Sequence, residues 1–335
     1  MAMLNIDHLS TEFSTENGTV QAVRDVTIKV EKGEILGIVG ESGSGKSQTM
    51  YSVMGLLAAN GRVAEGTIEI DGRDISPKNF SKSEYDDIMS KIRGNDMAMI
   101  FQDPMTFLNP VLTIEDQLTE PILNHNNVSK EEARNRAIEL MRKVGIPSPE
   151  SRIKQYPFQF SGGMRQRIII AMALACNPKV IIADEPTTAL DVTIQAQVLD
   201  LIADLKDEID SSIIMITHDL GVVASLCDRI AIMYGGKIVE VGTADEIFYE
   251  PKHPYTKGLL SCVANPEDKE KKELHPIPGS PPDLLNIGDW CPFVDRCGEA
   301  MKVCKMKMPQ QEDYSETHKA SCWLSHPLCK ERRGE

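Results

Sequence analysis

The stretch Gly40-Glu41-Ser42-Gly43-Ser44-Gly45-Lys46-Ser47 decides how this chain reads. It is a complete GxxxxGK[ST] pattern, and the strand-like residues Glu34 to Val39 run straight into it. Glycines at 40, 43 and 45 open backbone angles closed to residues with a Cβ, so successive N–H groups of the loop, from Ser42 to Ser47, converge on one phosphate chain. Lys46 adds a point charge at the β- and γ-phosphates. The Ser47 hydroxyl, in the first turn of the following helix, is a ligand for Mg²⁺, and the helix N-terminus contributes partial positive charge. The loop therefore predicts ATP binding.

A second apolar run, Val180-Ile181-Ile182-Ala183, ends in Asp184-Glu185. Such a continuous run suits a strand buried on both faces of a parallel sheet. Ligands of these sheets bind outside the carboxyl ends of the strands, which gives Asp184 to the Mg²⁺ shell and Glu185 to the attacking water. Two more strand-like runs end in polar residues. Gln102 follows Met99-Ile100-Phe101, and His218 follows Ile213 to Thr217. Ser161-Gly162-Gly163-Met164 opens a helix of small and apolar residues and makes an anion-binding N-terminus. Any one of these is ordinary alone. Their shared placement at element ends points to one site.

In this order the motifs resemble those of the ATP-binding subunits of ABC transporters, over about residues 3 to 250. The resemblance implies a P-loop α/β cassette with a mixed sheet core and a helical subdomain at about 105–165. It implies that Phe13 stacks on adenine, that Gln102 reaches the metal and the γ-phosphate, and that His218 senses the γ-phosphate. Two such subunits would sandwich two ATP molecules, each lying between one phosphate loop and the partner's signature, here Ser161 to Met164, with Ala189-Leu190-Asp191 as the D-loop. The family's usual signature ends in Gln. Met164 cannot offer the hydrogen bonds of an amide, which implies a looser contact and a non-identical partner ATPase.

The residues Tyr156 to Arg167, Pro251 to Leu260 and Ile277 to Leu284 are similar to those of the dipeptide, oligopeptide and nickel importers within that family. This extends the resemblance to nearly the whole chain. Peptide import with two membrane subunits and an extracellular binding protein is what it implies. Import of nickel or another solute, and a soluble non-transport ABC ATPase, remain the alternatives.

Composition fits such a subunit. The 335 residues carry a net charge of −14, and the chain from Pro251 onward is neutral, so the acidic excess lies in residues 1–250. No basic stripe exists to neutralise nucleic-acid phosphates. Met1 to His8 lack the apolar stretch of a signal peptide, and no run approaches a membrane span. The expectation is a peripheral protein on the cytoplasmic face of the cell membrane.

Local signals place the elements. Asn17-Gly18 and Asp71-Gly72 read as hairpin turns. Ser129-Lys130-Glu131-Glu132 reads as a capping box before a helix from Ala133 to Val144. Residues 251–335 read as an extension: Lys269 to Glu273 is charged, and Pro276, Pro278, Pro281 and Pro282 allow neither helix nor central strand.

The part of that extension beyond Pro282 holds five of the eight cysteines, at 291, 297, 304, 322 and 329. Its scarcity of large apolar residues calls for a staple, and disulfides are disfavoured in the cytosol. Four thiolates hold either a tetrahedral Zn²⁺ or a [4Fe–4S] cluster. The CPFxxRCxxAMxxC pattern with a later Cys is similar to a motif of some dipeptide-importer ATPases that ligates [4Fe–4S]. This implies Cys291, Cys297, Cys304 and Cys322 as ligands and leaves Cys329 out.

Overall fold

The computed structural model describes residues 2–102, 104–188, 191–209, 211–262, 276–327 and 329. Among the described residues twelve strands run in chain order: β1 (Ala2–Thr15), β2 (Gly18–Glu31), β3 (Ile35–Val39), β4 (Gly61–Ile70), β5 (Arg73–Asp74), β6 (Met97–Ile100), β7 (Val180–Asp184), β8 (Ser212–Thr217), β9 (Arg229–Tyr234), β10 (Lys237–Thr243), β11 (Glu312–Asp313) and β12 (Lys319–Ala320). The chain divides into two compact units. The first comprises Met1–Leu4, Lys29–Ile35 and Glu69–Ile216, and the second Asn5–Ile28, Leu36–Ile68 and Thr217–Glu335.

In the first unit β6, β7 and β8 pair in parallel, with Met97 opposite Val180 and Val180 opposite Ser212. Each residue of these three strands is buried, as continuous apolar runs in a parallel sheet require. Three helices, Ile114–His125, Lys130–Lys143 and Gly162–Ala173, pack on one another. Their start signals are local. Thr113 and Asp116 close a capping box on the first, and Ser129 Oγ accepts the Glu132 N–H at 3.2 Å on the second. Only half of the box expected there forms, because the Glu132 carboxylate accepts from Arg136 at 2.7 Å one turn on.

In the second unit the sheet order is β11-β12-β10-β9-β3. β9 runs parallel to β3 on one side and antiparallel to β10 on the other, so this sheet is mixed, as expected. β12 extends it antiparallel to β10, with Glu240 opposite Ala320. The short strands β11 and β12 left no signal in the sequence, being two residues each. The first hairpin turn falls on Glu16-Asn17 rather than Asn17-Gly18, and Gly18, at φ 134°, opens β2. Asp71-Gly72, in the first unit, behaves as expected, both residues having positive φ between β4 and β5. The proline-rich segment runs extended along β2, where the Gln21 N–H donates to Leu284 O and the Asn286 N–H to Thr19 O at 3.0 Å each. The charged run Lys269 to Glu273 lies outside the described residues. Among the described residues, no helix is long and apolar enough to cross a membrane.

Candidate nucleotide site

The second unit carries the phosphate loop. β3 delivers the chain to Gly40, and the helix Lys46–Met54 leaves from Gly45. Two glycines are fixed by what stands behind them. A Cβ on Gly40 would overlap the Met233 carbonyl oxygen of β9, and one on Gly45, at φ 103°, would overlap Ala22 O. The loop can lie this close to its backing strands only because those side chains are absent. The Gly236 N–H, from the β9–β10 turn, donates to Ser44 O at 3.0 Å and fixes the loop's middle. Lys46 is buried, and its ammonium donates across the loop to Gly40 O at 2.7 Å and Glu41 O at 2.9 Å. Ser44 is also buried, and its Oγ makes no hydrogen bond among the described residues. A buried hydroxyl and a lysine ammonium on a glycine loop pressed against its backing strands fit a phosphate chain.

Around the loop, Ser42 and Gly43 are exposed and Ser47 is half-buried. Thr11 Oγ1 and Ser52 Oγ, 2.7 Å apart and buried, tie β1 to the loop's helix. Phe13 is half-buried on the same strand, and its ring edge lies against Gly61, where a Cβ would come 2.5 Å from Cε1. His218 is exposed just past β8, immediately before Asp219, which caps the helix Leu220–Leu226 by accepting from the Gly221 N–H at 2.8 Å.

The first unit carries the acids. Asp184 ends β7 and is buried. Glu185 follows with φ 46°, a left-handed conformation that costs a residue with a Cβ about 1–2 kcal/mol. Its own N–H donates to Ile216 O at 2.9 Å, which holds it there. The Glu185 carboxylate accepts from Gln102 Nε2 at 2.7 Å and from Thr188 Oγ1 at 2.9 Å. Gln102 and Glu185 are therefore brought together, 83 residues apart in the chain. Thr188 went unnoticed in the sequence, because a lone threonine after a strand exit carries no spacing signal.

Ser161 caps the helix Gly162–Ala173, its Oγ accepting the Met164 N–H at 3.3 Å. The two signature glycines differ. A Cβ on Gly163 would come 2.6 Å from Ile194 Cγ2, so that position serves packing, whereas the space at Gly162 is open. Gln166, one turn on and buried, donates to Pro186 O at 2.7 Å and joins the signature helix to the residue after Glu185. Of the D-loop only Asp191 is described, its Oδ1 accepting the Ile194 N–H at 3.0 Å; Ala189 and Leu190 lie outside the described residues.

The four predicted cysteines lie in the second unit, where Cys304 Sγ accepts the Met301 N–H at 3.4 Å. The Cys291 N–H donates to Cys304 O at 3.1 Å, and the Val294 N–H donates to Cys291 O at 3.2 Å. Burial pushes the Cys291 thiol up to about 11 and the Cys322 thiol up to about 12, and the other cysteines of the set push the same way. Cys329 Sγ faces Met301 Sδ at 3.7 Å, the same residue whose N–H donates to Cys304 Sγ. The expected ligand set is nevertheless not a formed metal site. Among the described residues no three His, Cys, Asp or Glu side chains gather closely enough to hold an ion. Buried thiols in the neutral form carry no charge that would draw them around one point.

A glycine loop with its lysine, and acids at the end of a buried parallel strand, define a nucleotide-hydrolysing cassette. Residues 23–188 match the family described as ABC transporter, and residues 239–304 that described as oligopeptide/dipeptide transporter, C-terminal region. The chain is 52% identical over 326 residues to the oligopeptide transport ATP-binding protein OppD of Bacillus subtilis, covering 97% of this chain and 89% of the relative. It is 50% identical to OppD of Escherichia coli, over 93% and 90% of the two chains. Among solved structures, the dimeric structure of a bacterial ABC transporter cassette superposes with a TM-score of 0.63 at 29% identity, over 72% of this chain and 99% of that one. A dimeric post-hydrolysis state of an ATP-binding cassette bound to ADP and Pi gives 0.62 at 27%, over the same shares. The chain belongs to the ABC transporter ATP-binding proteins, in the group of the oligopeptide and dipeptide transport ATP-binding proteins, and it is an ATPase.

Proposed function

We propose that this chain powers the import of dipeptides or oligopeptides, working at the cytoplasmic face of a membrane with two membrane-spanning subunits, an extracellular binding protein and a second, non-identical ATPase. The observation that carries the reading is the 52% identity to a peptide-transport ATP-binding protein along 97% of the chain. It runs through the tail region 239–304, which matches the family described as oligopeptide/dipeptide transporter, C-terminal region.

Within the site, Lys46 and the N–H groups of residues 42–47 bind the phosphates. Ser47, Gln102 and Asp184 offer hard oxygen donors suited to Mg²⁺, which when bound supplies charge neutralisation at the phosphates. Glu185 orients the water that attacks the γ-phosphorus and takes its proton, while the bond to the β-phosphate oxygen breaks and ADP leaves. Gln102 and His218 hold the γ-phosphoryl oxygens, and Phe13 stacks on the adenine. Ser161 to Met164 face the nucleotide held by the second ATPase.

Uptake of a labelled tripeptide by proteoliposomes holding the assembled transporter tests the reading. Peptide uptake lost on Lys46→Ala supports it; nickel uptake without peptide uptake overturns it.

We also assign Cys291, Cys297, Cys304 and Cys322 to a [4Fe–4S] cluster. Support comes from the spacing of Cys291, Cys297 and Cys304 with Cys322 beyond them, and from the Met301 N–H that donates to Cys304 Sγ at 3.4 Å, a bond that stabilises a thiolate in such sites. Anaerobically purified protein should be brown, losing colour on Cys304→Ser but not on Cys329→Ser. Stoichiometric zinc, or no metal, overturns the assignment.

A further inference from the structure

The segment Cys291 to Cys297 touches the frame of the phosphate loop at three points, all within the second unit. The first is Pro292, against which Gly235 of the β9–β10 turn is pressed; a Cβ on Gly235 would come 2.5 Å from Pro292 Cβ. The neighbouring Gly236 of that turn holds Ser44 of the loop. Phe293 makes the second contact. Its ring meets Tyr234 edge-on, with centroids 5.2 Å apart, and Tyr255 at 5.3 Å. The Tyr255 hydroxyl in turn accepts the Glu41 N–H at 2.9 Å.

Arg296 makes the third contact, and the most direct. Its guanidinium forks onto both carboxylate oxygens of Glu41, at 2.6 and 3.0 Å, across 255 residues of chain. The arginine side chain is 6% exposed and the Glu41 side chain 25%. Its remaining N–H groups are fixed as well, on Pro278 O at 2.8 Å, Ile277 O at 3.2 Å and the Tyr234 hydroxyl at 3.1 Å. Glu41 is thus gripped at its N–H and its carboxylate, while its carbonyl receives the Lys46 ammonium.

We propose that Arg296 is a positioning residue for nucleotide binding: from between two cysteines of the tail it holds Glu41, and so sets the course of the phosphate loop and the place of the Lys46 ammonium. A loop with glycines at 40, 43 and 45 has many conformations open to it, and each one frozen before ATP arrives lowers the entropy lost on binding. A planar fork clamps a carboxylate in one orientation, whereas a lysine in its place offers a single rotatable charge. The tail segment thereby becomes part of the frame of the nucleotide site. The inference rests on ATP being bound by this loop.

The test is isothermal titration of MgATP into the full-length chain, carrying Arg296→Lys, Glu41→Gln or both, with melting temperature measured alongside. Each single change should weaken MgATP binding about tenfold, and the double change no further than the weaker single. In the assembled transporter KM for ATP should rise with kcat at saturation unchanged. Wild-type affinity in the nearly isosteric Glu41→Gln protein overturns the proposal. So does a lowered melting temperature with unchanged affinity, or a double variant whose losses multiply to about a hundredfold. Lys46→Ala separates this failure from failure of the site itself: MgATP binding that survives that change means the loop is not the ATP site.

Discussion

Mild acid should destabilise this protein because of one histidine. His253 is 1% exposed at the start of the helix Pro254–Ser261. Its Nδ1 accepts the Tyr255 N–H at 3.1 Å, and its own backbone N–H donates to Glu240 Oε2 at 2.9 Å. Burial, with a smaller push from Lys257, lowers its pKa from the usual 6.5 to about 3. Below pH 6.5 the unfolded chain therefore takes up a proton that the folded one refuses. Stability is complete above 6.5 and falls by about 1.4 kcal/mol per pH unit beneath it. From pH 6.5 to 5 the loss is about 2 kcal/mol, whatever the folded value so long as it lies well under 5. Asparagine at 253 keeps an acceptor for the same N–H without the proton-binding ring. Urea unfolding of wild type and His253→Asn at pH 7.5, 6.5 and 5 isolates the effect: the stability difference between the two proteins should shift by about 2 kcal/mol in favour of the variant across that range. Parallel curves would refute the reasoning.

Two further expectations follow from close contacts. Burial alone would raise the Glu246 pKa, but hydrogen bonds from Ser315, Thr243 and Thr317 outweigh it and hold the carboxyl down at about 2. That contribution is present above pH 4.5 and is lost as pH falls toward 2, so Glu246→Gln should be less stable than wild type at pH 7 and the gap should close below pH 4.5 in thermal melts. Gly40→Ala drives a methyl into Met233 O, which should destabilise the protein by about 1–3 kcal/mol and abolish MgATP binding in titrations.

The site was legible where chemistry fixes local spacing. Gly40 to Ser47 needs its glycines for reasons that act within eight residues, and Asp184, Glu185, Gln102 and His218 each follow an apolar run whose burial marks a strand. Contacts made across long stretches of chain were not legible. The bond from Arg296 to Glu41 spans 255 residues, and buried His318 reaches buried Glu240 at 2.8 Å across 78. Neither pair has a period or a motif to announce it. The shift of the first hairpin turn by one residue has a similar origin: Asn17-Gly18 has the composition of a turn, but Gly18 lies against Asn286, where any Cβ would come 2.7 Å from Nδ2, and its glycine is needed for that contact.

The central claim is that this chain hydrolyses ATP with Glu185 acting on the attacking water. Its most direct test is steady-state ATPase activity of the assembled transporter carrying Glu185→Gln, beside MgATP affinity of the same protein. A carboxylate acting only in the transition state predicts wild-type affinity with turnover reduced by about 10²- to 10⁴-fold. Turnover within a few-fold of wild type would contradict it.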